Sequence, residues 1–221
     1  MKRRVVFIHT SPAAIAPLMQ FYGEAAPELE ITNLLDDGLL RFFAAQRMED
    51  AQRRLAEMIR TAREVYDAEL AMITCSAVPG AMLRRLRGAA GFPVLKIDDP
   101  MARLAARAGR KIGVAVTFPP TLETTTKLLN GVAAEAGVAI EILPEVAPEA
   151  YQALLAGDHQ RHDDLLLAAI ERLAEQRVDA IVLAQVSMAR ILPRLEGRVS
   201  VPVLSSLDTS LAAIRETLKE E

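Results

Sequence analysis

The sequence predicts an α/β protein of two similar lobes, each built on a parallel sheet of about four strands with helices on its faces. Short apolar, β-branched runs alternate with longer segments of helical periodicity, a pattern typical of β-α-β units. The motifs of the first half of the chain also return in the second half, 107 to 110 residues later. A doubled unit in a chain of 221 residues therefore predicts two lobes with a cleft between them.

The internal repeat is visible in three pairs of segments. They are 4–12 with 111–119, 71–76 with 181–186, and 92–95 with 201–204. Cys75, the only cysteine of the chain, and Gln185 occupy equivalent positions in the second pair. We expect the first lobe to contain residues 1–98 and 207–221 and the second to contain residues 99–206, with the thiol and the amide on opposite walls of the cleft.

The elements of each lobe follow from hydrophobic periodicity and from helix-end signals. The predicted strands are 5–8, 30–33, 70–74, 94–97, 112–116, 139–143, 180–184 and 203–204. An amphipathic helix is expected at 48–66, and a short helix is expected to begin near Ala81. Further helices are expected at 122–136, ending at Gly137, at 166–176, behind the acidic pair at 163–164, and at 209–221.

Composition and charge exclude several classes of protein. The net charge is −3 and no basic segment is interleaved with aromatic residues, so we expect no nucleic-acid partner. No apolar stretch approaches the roughly 20 residues that span a bilayer, so we expect a soluble protein with no membrane partner. One cysteine allows no internal disulfide, which favours the cytoplasm. Neither half contains a glycine-rich phosphate loop, so no cofactor is expected.

Candidate binding residues lie where the predicted strands end. Open parallel sheets bind ligands beyond the carboxyl ends of their strands, and here those ends carry small, polar or nucleophilic side chains. The candidate substrate-binding residues are Thr10, Ser11, Ser76, Ala77, Thr117, Phe118, Gln185, Val186 and Ser187. Their hydroxyls and the neighbouring backbone amides predict hydrogen bonds to a small carboxylate; the alternative for each hydroxyl is a helix cap or turn residue.

Cys75 and His9 are the candidate catalytic residues. Cys75 lies between a strand and a helix start, where backbone N–H groups favour the thiolate; the alternative is a small buried side chain with no chemical role. His9 ends the first strand and titrates near neutral pH, so it can act as an acid or base; the alternative is a structural histidine. His159 and His162 resemble metal ligands in spacing, but a position between Gly157 and a helix start favours capping, and no metal site is expected.

Three motifs carry a resemblance to a known family. They are Thr74-Cys75-Ser76-Ala77 after an apolar strand, Val182-Leu183-Ala184-Gln185 at the equivalent place in the second half, and Thr10-Ser11 after the first strand. With these motifs the chain resembles the aspartate/glutamate racemase superfamily over nearly its whole length. That superfamily includes cofactor-independent amino-acid and hydantoin racemases, maleate isomerase and arylmalonate decarboxylase, and its members often form dimers, which makes a homodimer a candidate assembly.

The resemblance implies a role for Cys75 and a question about Gln185. In the family's racemases two cysteines flank the α-carbon of the substrate, and one removes a proton while the other delivers one to the opposite face. The resemblance assigns the first role to Cys75. Gln185 stands where the second cysteine would be, and an amide has no ionisable proton to transfer. Gln185 is therefore expected to donate a hydrogen bond to a carboxylate or enolate oxygen.

Three schemes fit these residues. In the first, Cys75 transfers a proton at the α-carbon of an amino acid, hydantoin or dicarboxylate and a group such as His9 acts on the other face. In the second, Cys75 acts alone, as the nucleophile or proton donor of an isomerase or decarboxylase. In the third, the protein binds a small carboxylate without turnover. The first scheme makes the chain an isomerase of the racemase type and the second allows a lyase.

Overall fold

The computed structural model describes residues 2–219 and divides them between two compact units. Of the described residues, unit 1 contains 2–98 and 210–219, and unit 2 contains 99–209. Each unit has one sheet of four parallel strands, as the sequence predicts. Among the helices of residues 2–219, none combines the length and the apolar character needed to cross a membrane.

Unit 1 has the strand order β2-β1-β3-β4. Its strands are β1 (Arg3–His9), β2 (Leu29–Leu35), β3 (Leu70–Ile73) and β4 (Val94–Lys96). Its helices are α1 (Ile15–Ala25), α2 (Leu39–Ala44), α3 (Met48–Glu64) and α4 (Gly80–Ala90), together with a 3-10 turn at Pro12–Ala14 and most of α10 (Ser206–Lys219).

Both faces of the unit 1 sheet are buried because successive side chains point to opposite faces of a strand. Val6 and Ile8 join an apolar cluster with residues of α2, α3 and α4. Phe7 lies edge-to-face against Tyr22 of α1 with ring centroids 4.9 Å apart. The Tyr22 hydroxyl hydrogen-bonds to Ser210 Oγ of α10 at 2.7 Å, which fixes the last helix on this unit.

Unit 2 repeats the same strand order as β6-β5-β7-β8. Its strands are β5 (Lys111–Val116), β6 (Glu141–Val146), β7 (Ala180–Leu183) and β8 (Val203–Leu204). Its helices are α5 (Asp99–Ala108), α6 (Pro120–Glu135), α7 (Pro148–Leu155), α8 (His159–Glu175) and α9 (Leu192–Leu195), with a 3-10 segment at Val186–Ile191.

Two separate apolar clusters cover the two faces of the unit 2 sheet. Val114 and Val182 belong to a cluster with α5 and α6, whereas Ala115 and Ile181 belong to one with α8 and the 3-10 segment. The alternation along β5 and β7 therefore sends neighbouring residues to opposite layers of helices. Because every residue of β7 is buried, the strand is a continuous apolar run, which is typical of a parallel sheet covered on both sides.

Most element boundaries differ from the prediction by one or two residues, and four of the differences have consequences for the local structure. Strand β6 covers 141–146 instead of 139–143 and passes through Pro144; the missing N–H of proline is tolerated because β6 is an edge strand. Helix α8 begins at His159 instead of residue 166, since Asp158 caps it by accepting a hydrogen bond from the Arg161 N–H. Helix α3 ends at Glu64, which leaves Tyr66 exposed beyond it. Helix α10 begins at 206, and the predicted end at 220–221 lies outside the described residues.

Candidate functional site

The carboxyl edge of the unit 1 sheet brings together residues from three strands. Strand β3 lies between β1 and β4, so the segments that follow these strands are neighbours at one edge. They carry Thr10 after β1, Cys75 after β3 and Asp98 after β4. The register pairs Ile73 with Lys96, which places Lys96 just before this edge. Parallel topology thus assembles a hydroxyl, a thiol, an ammonium and a carboxylate from distant parts of the sequence.

Cys75 is buried, with 6% of its surface exposed. Burial raises the pKa of the Cys75 thiol, because a thiolate is poorly solvated there. Hydrogen bonds from the Thr10 side chain and the Ala77 backbone N–H oppose this effect, as does the positive charge of Lys96, whereas Asp98 raises the pKa further. The site therefore holds a desolvated sulfur with two hydrogen-bond donors and a cation to stabilise its anionic form.

The sequence analysis missed Lys96 and Asp98. Lys96 is 3% exposed, and its Nζ lies 3.1 Å from Asp98 Oδ1. A signal for this pair exists in the sequence, because Lys96 stands between Leu95 and Ile97 in a short apolar strand. A charged residue in a strand that is covered on both faces is seldom buried unless it is paired.

His9, the second catalytic candidate, is completely buried at the end of β1. Its Nε2 lies 2.8 Å from Asn33 Oδ1, and its Nδ1 lies 2.8 Å from Thr74 Oγ1. An amide oxygen can only accept, so Nε2 carries the proton, and in the neutral ring Nδ1 accepts from the Thr74 hydroxyl, whose single proton is shared with the Ile8 carbonyl oxygen at 3.2 Å. Burial lowers the pKa of His9, which favours this neutral form. His9 thus connects β1 to β2 and to the residue before Cys75, with both ring nitrogens engaged.

The corresponding edge of unit 2 is organised around Gln185. Its side-chain Oε1 accepts hydrogen bonds from the Thr117 N–H at 2.8 Å, the Thr117 hydroxyl at 3.0 Å and the Phe118 N–H at 3.3 Å. Three donors on one oxygen fix the orientation of the amide, so its NH2 group points away from this loop. The hydrogen bond from the Thr117 hydroxyl to Gln185 is equivalent to the one from the Thr10 side chain to Cys75 in unit 1. The donors of Thr117 and Phe118, which the sequence assigns to a bound anion, are engaged by Gln185 in the structure.

The other predicted binding residues lie beside these two centres. Ser11 follows Thr10, Ser76 and Ala77 follow Cys75, and Val186 and Ser187 open the 3-10 segment after Gln185. Phe118 is 40% exposed, and its ring packs against Tyr151 of α7 with centroids 5.0 Å apart. The edge of unit 2 therefore offers an aromatic surface next to the Gln185 amide.

His159 and His162, whose spacing resembles that of metal ligands, lie inside α8 and do not precede it. His159 is exposed, whereas His162 is completely buried with Nδ1 2.8 Å from Asp163 Oδ1. Asp163 also pairs with Arg190 of the 3-10 segment at 3.0 Å. These contacts join α8 to the segment that follows Gln185. Within residues 2–219 no group of three or more histidine, cysteine, aspartate or glutamate side chains is arranged to hold a metal ion.

The two units thus have parallel sheets of identical strand order, and the only cysteine lies at the carboxyl edge of one of them. The family model for Asp/Glu/hydantoin racemases matches residues 22–214. The chain belongs to this family. A comparison with curated protein sequences finds no significant match.

Solved structures share the fold over nearly the whole chain. An allantoin racemase from Klebsiella pneumoniae is 20% identical with a TM-score of 0.73, over 99% of this chain and 88% of that one. An aspartate racemase homologue from Pyrococcus horikoshii is 19% identical with a TM-score of 0.72 and complete coverage of both chains. Arylmalonate decarboxylase is 18% identical with a TM-score of 0.66, over 96% of this chain and 91% of that one. At these identities the likeness concerns the fold.

Proposed function

We propose that this protein catalyses cofactor-independent proton transfer at the α-carbon of a small carboxylate, an amino acid, hydantoin or dicarboxylate, with Cys75 as the acid or base. The observation that carries the proposal is the position of Cys75 at the carboxyl end of β3, with hydrogen bonds from Thr10 and Ala77. Family membership supports the reaction type, because the matching family is one of racemases.

The surroundings of Cys75 suit reversible proton transfer. As the thiolate forms, it gains charge-assisted hydrogen bonds from the Thr10 hydroxyl and the Ala77 N–H, which are shorter and stronger than neutral ones. The desolvated position keeps the thiolate reactive, because few water molecules compete for its charge. The sulfur takes the α-proton, the electron pair of the C–H bond delocalises into the carboxylate, and a second group on the opposite face then delivers a proton to the carbon, which inverts it.

Gln185 is proposed to bind the carboxylate and not to move a proton. Its Oε1 accepts from Thr117 and Phe118, so the NH2 group is the part of the side chain that can donate to a ligand. Replacement of Gln185 by glutamate keeps the accepting oxygen and removes that donor. We therefore expect Gln185→Glu to weaken carboxylate binding about tenfold or more, the loss of a charge-assisted hydrogen bond, while the loop stays folded.

One-sided chemistry is the second candidate function, and a specific observation favours it. The position equivalent to Cys75 holds an amide, and the other acid–base candidate, His9, has both nitrogens engaged by Asn33 and Thr74. A single thiol acting on one face exchanges the α-proton with retention, or protonates the carbanion that follows loss of carbon dioxide. We propose His9 as a positioning residue that holds Thr74, the neighbour of Cys75.

The test is α-proton exchange in deuterium oxide, followed by proton NMR on enantiopure amino acids, 5-substituted hydantoins and substituted malonates. Loss of the α-proton signal without a change in optical rotation indicates one-sided exchange through Cys75. Loss of the signal together with racemisation indicates a second acid or base. A substituted malonate that loses carbon dioxide indicates the lyase. Binding of these ligands without exchange or decarboxylation would refute the proposed catalysis and favour a carboxylate-binding protein.

Gln185→Cys is a sharper variant for the same assay. If only the second thiol is missing, this variant is expected to convert retention into racemisation on the substrate that exchanges in the native protein. The matched control is Gln185→Ser, which has a similar volume to cysteine and no comparable acidity. Racemisation by the cysteine variant alone would assign the second position to proton transfer.

A further inference from the structure

We propose that the buried Lys96–Asp98 pair is a positioning device for the Cys75 sulfur, in which the Lys96 ammonium favours the thiolate and the Asp98 carboxylate opposes it. The proposal rests on the proposed function, in which Cys75 is the group that moves the proton. It goes beyond that function because it assigns the balance between thiol and thiolate at Cys75 to Lys96 of β4 and to Asp98, which follows β4.

The strand register carries the geometric argument. Ile73 of β3 pairs with Lys96 of β4, and the Ile97 N–H donates to the Ile73 carbonyl at 3.0 Å. Paired residues of parallel strands point to the same face, and so do residues two positions further along. Cys75 shares one apolar cluster with Ile73 and Val94, the residue two before Lys96, and Asp98 lies beside Lys96 through their ion pair. The thiol, the ammonium and the carboxylate are thus brought to one face of the sheet.

The burial of the pair argues against a purely structural role. Their side chains are 3% and 8% exposed, and they make one ion pair at 3.1 Å. Removing two charges from water costs several kcal/mol for each ion, and apolar replacements of such pairs are often neutral or stabilising. A short strand of otherwise apolar residues has no need of a lysine for its own stability. An electrostatic effect on the Cys75 thiol would account for a buried pair that contributes little to stability.

The neighbours of Cys75 other than Lys96 and Asp98 are polar or apolar groups that contribute no net charge near the thiol. From β1 the neighbouring groups are Thr10, which donates a hydrogen bond, and His9, which is held by Asn33 and Thr74. Helices α2, α3 and α4 contribute apolar side chains to the cluster that contains Cys75. Among the described residues, the charged groups that act on the thiol are Lys96 and Asp98, with opposite signs. Changes at the two residues must therefore act in opposite directions.

The experiment uses the full chain labelled with 13C at the cysteine Cβ, which gives a single resonance because the chain has one cysteine. The resonance is followed against pH in the native protein, in Lys96→Met and in Asp98→Asn. Lys96→Met is expected to reduce the thiolate fraction at a fixed alkaline pH about tenfold, and Asp98→Asn is expected to increase it by a similar factor. Lys127→Met, at an exposed lysine of unit 2, is the matched control and is expected to change nothing.

A measurement on the native protein covers the case in which a single variant does not fold. The 13Cε resonance of Lys96 is expected to shift at the pH at which Cys75 ionises, and this shift is expected to vanish in Cys75→Ala. The proposal is overturned if folded Lys96→Met and Asp98→Asn change the thiolate fraction in the same direction or not at all. It is also overturned if the 13Cε resonance of Lys96 does not shift when Cys75 ionises. Opposite shifts without α-proton exchange would support this inference and refute the proposed function, so the two fail separately.

Discussion

Gln185→Leu tests whether the amide oxygen organises the carboxyl edge of unit 2. The substitution removes the acceptor of three hydrogen bonds, two from Thr117 and one from Phe118. Leucine has a similar volume and no hydrogen-bonding group, so the three donors lose their partner without a large change in packing. The expected result is a less stable protein whose loop after β5 is disordered or displaced.

The magnitude follows from the burial of each donor. Thr117 is completely buried, so water cannot replace Gln185 there, and a buried donor without a partner costs about 1–3 kcal/mol. The Thr117 hydroxyl can rotate to recover part of its loss. Phe118 is 40% exposed, so its N–H can turn to water at little cost. We expect a loss of about 2–4 kcal/mol, which is a large part of the roughly 5–15 kcal/mol that stabilises a typical protein.

The assay is urea denaturation followed by far-ultraviolet circular dichroism, with Gln185→Glu as the matched control. Glutamate retains an accepting oxygen at the same reach, so its free energy of unfolding is expected to stay within about 1 kcal/mol of the native value. A Gln185→Leu protein as stable as the native one, or a glutamate variant as unstable as the leucine variant, would refute the assigned hydrogen bonds.

Further predictions concern packing and pH. A Cβ at Gly113 would lie 3.3 Å from Ile181 Cγ1, so Gly113→Val is expected to lower the free energy of unfolding by about 1–3 kcal/mol through overpacking, as measured by urea denaturation. Gly131 has open space in α6, so Gly131→Ala is expected to raise stability by about 0.5–1 kcal/mol, and a decrease would contradict the helix assignment. Burial lowers the pKa of His9 below its usual value of 6.5, so protonation favours the unfolded chain and stability is expected to fall as pH drops below that value. His9→Gln should reduce this slope in denaturation curves recorded between about pH 6.5 and 5, the range below the usual histidine pKa, and an unchanged slope would contradict the assignment.

The two parallel sheets of about four strands are readable from the sequence because short apolar strands alternate with helical segments, whereas the order of the strands in each sheet is not. The equivalence of Cys75 and Gln185 also follows from the repeat alone, since the two residues end matching strands. Boundaries are harder, because Pro144 is a strand breaker everywhere except at an edge, and edge position is a property of the sheet. Likewise, Asp158, Asp163 and Asp164 all precede the predicted helix start at residue 166, and only the hydrogen bond to Asp158 identifies the cap of α8.

The chemical detail of the site depends on contacts between residues distant in sequence. His9 looked like a candidate base because of its strand-end position, but its partners Asn33 and Thr74 come from two other strand ends. The Lys96–Asp98 pair acts on Cys75 only because β3 and β4 are neighbours in the sheet. A hydrophobic pattern predicts that strands exist and gives their approximate ends. It does not give the hydrogen bonds that their side chains make.

The most direct measurement of the central claim is the rate of α-proton exchange in deuterium oxide by the native protein and by Cys75→Ala, on the substrate that exchanges fastest. If the Cys75 sulfur moves the proton, the alanine variant is expected to lose nearly all exchange, at least about a hundredfold, as for other positioned acid–base groups. Its circular dichroism spectrum should match that of the native protein. Exchange that survives in a folded Cys75→Ala protein would contradict the account.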